Sequence, residues 1–204
     1  MIHSFINEFS ENTYIISSDK DALIVDPGAS LNQIQNYVDK NDLNVVGVLL
    51  THGHFDHILF LNEVVKLYNP LVYIHESERD FLFDPNLNLS STMKRRIRMN
   101  QKENIKTITH GDTITINNET IYAHHTPGHT RGGICYQYQN FLFSGDTLFK
   151  GTIGRTDLPT SSMKEMKESI KYIIHTFHDN TIVYPGHGHF TTIVNEKYEN
   201  PYIK

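Results

Sequence analysis

Three histidines and a carboxylate fall within Thr51-His52-Gly53-His54-Phe55-Asp56-His57, a spacing that few chemistries other than metal ligation need. His52 and His54 are two apart, so in an extended segment both imidazoles point the same way and can share one cation. Asp56 and His57 are expected where a helix begins, about 100° apart around its axis, and can be aimed at a second cation beside the first. The positive end of that helix would also favour neutral His57, the form that ligates.

Elements must deliver these groups. Residues 45–50 are an apolar run that reads as a buried strand, and a helical pattern is expected from about 58 to 68. Three more short apolar strands end in a metal-type side chain. Residues 121–123 lead into Thr126-Pro127-Gly128-His129-Thr130, 141–143 into Ser144-Gly145-Asp146-Thr147, and 181–184 into Pro185-Gly186-His187-Gly188. A design repeated at four strand ends is poorly explained by incidental surface histidines.

Strands are also expected at 2–9, 12–17 and 22–25, the last two forming a hairpin across Ser18-Asp19-Lys20-Asp21. Asp26-Pro27-Gly28 ends the third, and a helix follows from about Ser30. Residues 74–83 and 91–103 read as helical or loop-rich, divided by Asp84-Pro85-Asn86. A helix over 162–177 places Met163, Met166, Ile170, Ile173 and Ile174 at helical spacing. The order of strands and helices repeats after about Thr107, which points to two similar halves.

His52, His54, Asp56, His57, His129, Asp146 and His187 together resemble the metallo-β-lactamase superfamily, marked by H-x-H-x-D-H. Gly145-Asp146-Thr147-Leu148-Phe149, Gly154-Arg155-Thr156-Asp157-Leu158-Pro159, Thr191-Thr192-Ile193 and Asn200-Pro201 resemble the short bacterial glyoxalase II-like hydrolases. The resemblance implies an α+β fold, a four-layer αββα sandwich of two mixed sheets with outer helices. It implies one domain over residues 1–204, without the C-terminal helical glutathione-binding domain of full glyoxalase II. It places His52, His54 and His129 on one metal and Asp56, His57 and His187 on another, with Asp146 bridging.

Two Zn²⁺ are expected, with Fe or Mn as alternatives at either site. Against their four positive charges, Asp56, Asp146 and a bridging hydroxide set three negative ones, leaving one net charge to face a developing oxyanion. Asp56 and Asp146, with that metal-bound hydroxide, are thus the expected catalytic groups. Zinc lowers the pKa of its water to roughly 7, which supplies hydroxide without a separate base. A thiolate, from a thiol of pKa about 8.5, leaves without a strong general acid. Hydrolysis of a small thioester is therefore the expected reaction, with lactones and other esters open. The rival is a persulfide dioxygenase of the same fold, holding one iron on His52, His129 and Asp146.

Composition narrows the field further. A formal charge of -5 gives no electrostatic case for nucleic acid or an anionic membrane, and Lys94-Arg95-Arg96-Ile97-Arg98 reads as a solvated helix face. There is no signal-peptide pattern or long apolar run, and the single cysteine, Cys135, points to a reducing cytoplasm and a buried structural thiol. The zinc β-lactamases with a cysteine ligand, and an arginine where His57 stands, are poor matches. His3, His75, His110, His124, His175 and His178 lack ligand spacing, whereas His125 and Asp26 are placed to orient the ligand turns. Arg155 and His189 are the candidate substrate contacts, Arg155 either gripping a carboxylate or pairing with Asp157.

Overall fold

Neighbouring residues along the central strands are buried on opposite faces. Ile15, Ala22, Ile24 and Val48 join one core cluster, while Tyr14, Ile16, Leu23, Val25 and Leu49 join another. With a side-chain period of two, such strands must be covered on both sides. The second half repeats the pattern, with Ile134, Tyr136 and Phe143 facing one way and Cys135 and Leu142 the other. The resulting αββα sandwich is seen in a computed structural model that describes residues 1–94 and 96–203.

The first sheet has the order β1 (Ile2–Ile6), β2 (Asn12–Ser18), β3 (Asp21–Val25), β4 (Asn44–Leu49), β5 (Leu71–His75) and β6 (Ile105–Ile108). β1 to β3 pair antiparallel and β3 to β6 parallel. Helices α1 (Leu31–Lys40) and α2 (Leu61–Tyr68) cover its outer face, burying Ile34, Val38, Leu61, Val64 and Val65.

The second sheet draws on β7 (Thr113–Ile116), β8 (Glu119–His125), β9 (Ile134–Tyr138) and β10 (Phe141–Gly145). A hairpin of β11 (Leu148–Phe149) and β12 (Thr152–Ile153) stands apart. Helix α3 (Met163–Thr176) then crosses to β13 (Ile182–Pro185), which pairs parallel to β10 and antiparallel to β14 (Thr191–Thr192). With α4 (Ile193–Glu199), α3 covers the outer face through Met166, Ile170, Ile173 and Ile193. Each half of the chain thus builds one sheet. Cys135 is buried under α3, where burial pushes its thiol pKa up to about 11.

Two expectations need correction. The helix expected from 58 starts at Leu61, because residues 54–60 form tight turns instead, with the N–H of His57 donating to the carbonyl of His54 and that of Ile58 to Phe55. Strand β1 stops at Ile6, where the Asn7 side chain accepts from the N–H groups of Phe9 and Glu11 and turns the chain. The middle segment, expected to be helical or loop-rich, carries a 3₁₀ stretch, Glu76–Leu82, after strand β5, and 91–103 is largely irregular among its described residues. Val72 to Ile74 is a short buried run whose strand character comes from pairing with β4 and β6. Of the basic cluster, Arg95 lies outside the described residues; Ile97 is buried, and Arg96 and Arg98 are exposed.

The sheets are tied at the centre by the Tyr136 hydroxyl on β9, which donates to the Leu50 carbonyl just after β4 at 2.9 Å, fully buried. Tyr136→Phe leaves that carbonyl unpaired and should lower stability by about 1–2 kcal/mol in urea denaturation. An unchanged midpoint would mean that this bond does not join the sheets.

Candidate metal centre

All seven side chains singled out by spacing meet beyond the C-terminal ends of β4, β8, β10 and β13. His54 Nδ1 lies 3.1 Å from His52 Nε2 and 3.0 Å from His129 Nε2. Beside this set, His187 Nε2 lies 3.3 Å from Asp56 Oδ2, and His57 Nε2 lies 3.9 Å from the same oxygen. Asp146 stands between the two groups, with Oδ1 3.4 Å from His57 Nε2 and Oδ2 3.4 Å from His129 Nε2.

In four of the five histidines the ring nitrogen that does not face the cluster is held by another group, which fixes the tautomer; in His54 that nitrogen, Nε2, is buried without a hydrogen-bond partner. His57 Nδ1 donates to Asp26 Oδ2 at 2.9 Å, His129 Nδ1 to the Arg155 carbonyl at 2.9 Å, and His187 Nδ1 to the Ser10 carbonyl at 3.0 Å. Thr51 Oγ1 donates to Asp26 Oδ2 at 2.6 Å, so at 3.1 Å from His52 Nδ1 it is the acceptor. Each of these four rings therefore turns an Nε2 lone pair toward the cluster. The expectation that a helix end keeps His57 neutral does not hold, since α2 begins four residues later and, against burial, the carboxylates around the ring favour its charged form; Asp26 sets the ring's orientation instead. Asp26 orients His57 and, through Thr51, the His52 loop; His125 Nε2 donates to the Arg131 carbonyl in the loop after His129.

Charge and burial suit a cation. Burial and the neighbouring imidazoles hold His52 well below its ordinary pKa and push His54 down to about 3, so both are neutral. Burial opposes charge on Asp146, but His57 and His129 outweigh it and keep the carboxyl ionised. At His57 burial is likewise overridden, by Asp56, Asp146 and Asp26, which raise its pKa and mark a place where positive charge is favoured. His57 Nε2 and Asp146 Oδ1 are buried without a hydrogen-bond partner. Unpaired buried polar atoms that converge in this way fit a metal ion.

Gly186 is required here, because a Cβ would sit 2.3 Å from Asp146 Oδ1 and 2.8 Å from His57 Cε1.

A cavity of about 420 Å³ opens onto these groups, lined also by Phe55, Leu89, Phe149, Ile153, Arg155 and Leu158. Arg155 makes two bonds to Asp157, of 2.7 and 2.8 Å, with both side chains exposed. His189 is exposed and lies outside the described lining.

Sequence reasoning missed three supports. Glu78 is fully buried and accepts from the N–H of Gly53 at 2.7 Å and of Gly132 at 3.0 Å, joining the His52–His54 loop to the loop after His129. Asn12 donates to the carbonyls of Pro185 and Gly188 on either side of His187. Glu11, also fully buried, accepts from Asn7 Nδ2 at 2.9 Å and reaches within 4.0 Å of His57. No local spacing announces them; the available signal is polar residues beside apolar strand segments.

A sandwich with histidine and aspartate clusters at its strand ends defines a class of divalent-metal hydrolase folds. The chain belongs to the metallo-β-lactamase superfamily, whose family model matches residues 6–190. A probable metallo-hydrolase of Bacillus subtilis, YqgX, is 34% identical over 97% of this chain and 94% of its own length. The hydroxyacylglutathione hydrolase GloC of Haemophilus influenzae is 29% identical, over 97% and 95%. Among solved structures, the B3 metallo-β-lactamase BLEG-1 is 36% identical with a TM-score of 0.93, covering 100% of both chains. ETHE1 from Myxococcus xanthus is 26% identical with a TM-score of 0.78, over 98% of this chain and 83% of its own.

Burial raises the Glu78 carboxyl to about 7, against the pull of the Gly53 and Gly132 N–H groups. The folded protein therefore holds this proton where the unfolded chain has lost it. Stability from the protonated acid is fully present below about 4.5 and is lost as pH rises through about 7, by at most ~1.4 kcal/mol per pH unit. In urea denaturation of wild type against Glu78→Gln, the difference in unfolding free energy should fall across that window; a flat difference would exclude Glu78 as the titrating group.

Proposed function

We propose that this chain is a dinuclear-metal hydrolase that cleaves a small thioester, of the S-2-hydroxyacyl-thiol type, into a hydroxy acid and a thiol. The observation that carries this reading is the position of Asp146, one carboxylate within 3.4 Å of a ligand nitrogen in each of two groups. His52, His54 and His129 would hold one ion, Asp56, His57 and His187 the other, and Asp146 both. Zinc suits this imidazole and carboxylate set, and iron or manganese is the alternative. When bound, such ions lower the pKa of water into the neutral range and polarise a carbonyl oxygen.

The chain's own residues supply orientation and charge. Asp26, Ser10 and the Arg155 backbone fix the imidazoles, so little reorganisation remains when substrate arrives. Asp56 and Asp146 offset most of the cationic charge and leave the remainder to meet a developing oxyanion.

The leaving group is limited by what lines the cavity. Its described titratable groups are the proposed ligands His54, Asp56, His129, Asp146 and His187, together with Arg155. Arginine does not give up its proton, so no spare side-chain acid is present to protonate a poor leaving group. A thiolate departs without one, whereas an amine does not. GloC, named for hydroxyacylglutathione hydrolysis, supports the same direction. Esters and lactones with good leaving groups fall within this chemistry. The competing reading, one iron on His52, His129 and Asp146 oxidising a persulfide, leaves Asp56, His57 and His187 without a task.

In steady-state assays of metal-loaded protein, Asp146→Ala should lower kcat/KM for a lactoyl thioester by about 10²-fold or more, with reduced metal content. A chromogenic cephalosporin should be hydrolysed about a hundredfold more slowly than the thioester, for want of an acid. Full activity in Asp146→Ala, or faster β-lactam turnover, would refute the proposal.

A further inference from the structure

Leu89 is not a glycine, yet its backbone is left-handed, with φ 65° and ψ 9°. A leucine pays a steric penalty there that Gly or Asn largely avoids, and such outliers persist only where surrounding structure over-determines them. Here the surroundings are Asn88 and Ser90, both fully buried. The Asn88 amide donates to the carbonyls of Phe81 at 2.8 Å and Ile97 at 3.0 Å, and its oxygen accepts from the Ser90 N–H at 3.1 Å and hydroxyl at 2.6 Å. The Asn88 carbonyl also accepts from the N–H of Phe55, which lies between His54 and Asp56. Five hydrogen bonds therefore fix the residues flanking Leu89, one of them tying Asn88 to the ligand loop, and Leu89 lines the cavity over the metal centre.

Most of the rest of that wall is carbon, with Thr152 and Arg155 the polar exceptions. Phe55, Leu89, Phe149, Ile153 and Leu158 surround the ligands, and the one Lys or Arg among the described lining residues is Arg155. Its guanidinium is already paired through two bonds with Asp157. A carboxylate held against this wall, away from the metal ligands, would meet an ion pair already closed by Asp157 and apolar side chains, and would lose hydration without gaining a free guanidinium.

We propose that Leu89 is a specificity-determining residue, held in its left-handed conformation so that the wall it completes selects thioesters whose flanking groups are small, apolar and uncharged over those bearing carboxylates. This rests on the thioester reading above for the name of the reacting bond. The apolar selectivity itself can be read without turnover.

The test is calorimetric titration of metal-loaded protein with two inert thioethers, S-butyl-N-acetylcysteamine, which is uncharged, and S-butylglutathione, which carries two carboxylates. Wild type should bind the uncharged probe about tenfold more tightly. Leu89→Asn keeps a residue that tolerates the left-handed region, so its Tm should not fall, but it should lose about tenfold in affinity for the uncharged probe alone. Leu89→Gly gives the same result by a second route, and Leu89→Met restores binding. Arg155→Ala should leave affinity for S-butylglutathione within about twofold. Equal binding of the two probes by wild type, an unchanged affinity in Leu89→Asn and Leu89→Gly, or a large loss of S-butylglutathione binding in Arg155→Ala would overturn the proposal. Hydrolysis of the S-lactoyl thioesters of the same two thiols is measured in parallel. If they are not cleaved while the Leu89-dependent preference holds, the thioester reading fails and the role of Leu89 stands.

Discussion

The centre depends on one buried carboxylate. Asp26 ends β3 in the left-handed conformation, at φ 50°, and its two oxygens accept from the Thr51 N–H, the Thr51 hydroxyl and His57 Nδ1. Through Thr51 it sets His52 in one group of ligands, and directly it sets His57 in the other. Nearly buried, the carboxylate is strongly coupled to all three donors, and removing any donor would leave lone pairs unsatisfied in the core. The spacing of the two groups thus follows from one side chain rather than from two independent loops.

The sandwich exists to bring the other halves of the site to that carboxylate. Sheet one supplies His52 to His57 after β4, and sheet two supplies His129, Asp146 and His187 after β8, β10 and β13. Three polar clasps cross between them: Tyr136 to Leu50, Glu78 to Gly53 and Gly132, and Asn12 to the strand carrying His187. Each clasp is buried or nearly so, where a hydrogen bond is worth most and its loss costs most. The same logic places Leu89, whose unfavourable backbone is sustained by the Asn88 network.

That these seven side chains meet was legible in the sequence, because metal binding would constrain residue type and short spacing together and four strands each end in such a residue. The sandwich was legible through resemblance alone; runs such as Tyr14 to Ile16 mark strands without saying that both of their faces are covered. What escaped reading has a common cause. Glu78 contacts residues 25 and 54 positions away, and Asn12 reaches 173, so their roles arise from tertiary approach. Helix α2 was placed too early because periodicity begins at Ile58, whereas the chain must still turn to aim Asp56 and His57. Strand β5 has no counterpart among the sequence patterns, because a run as short as Leu71 to Ile74 carries no period of its own and takes its form from β4 and β6.

The central claim is that two metal ions share Asp146, and counting them is the most direct check. Protein expressed with both zinc and iron available, and purified without chelators, would be measured by inductively coupled plasma mass spectrometry. The account predicts about two ions per chain, zinc or a mixture, as the complete donor sets require. About one iron per chain, with nothing on Asp56, His57 and His187, would contradict it and move the chemistry to oxidation.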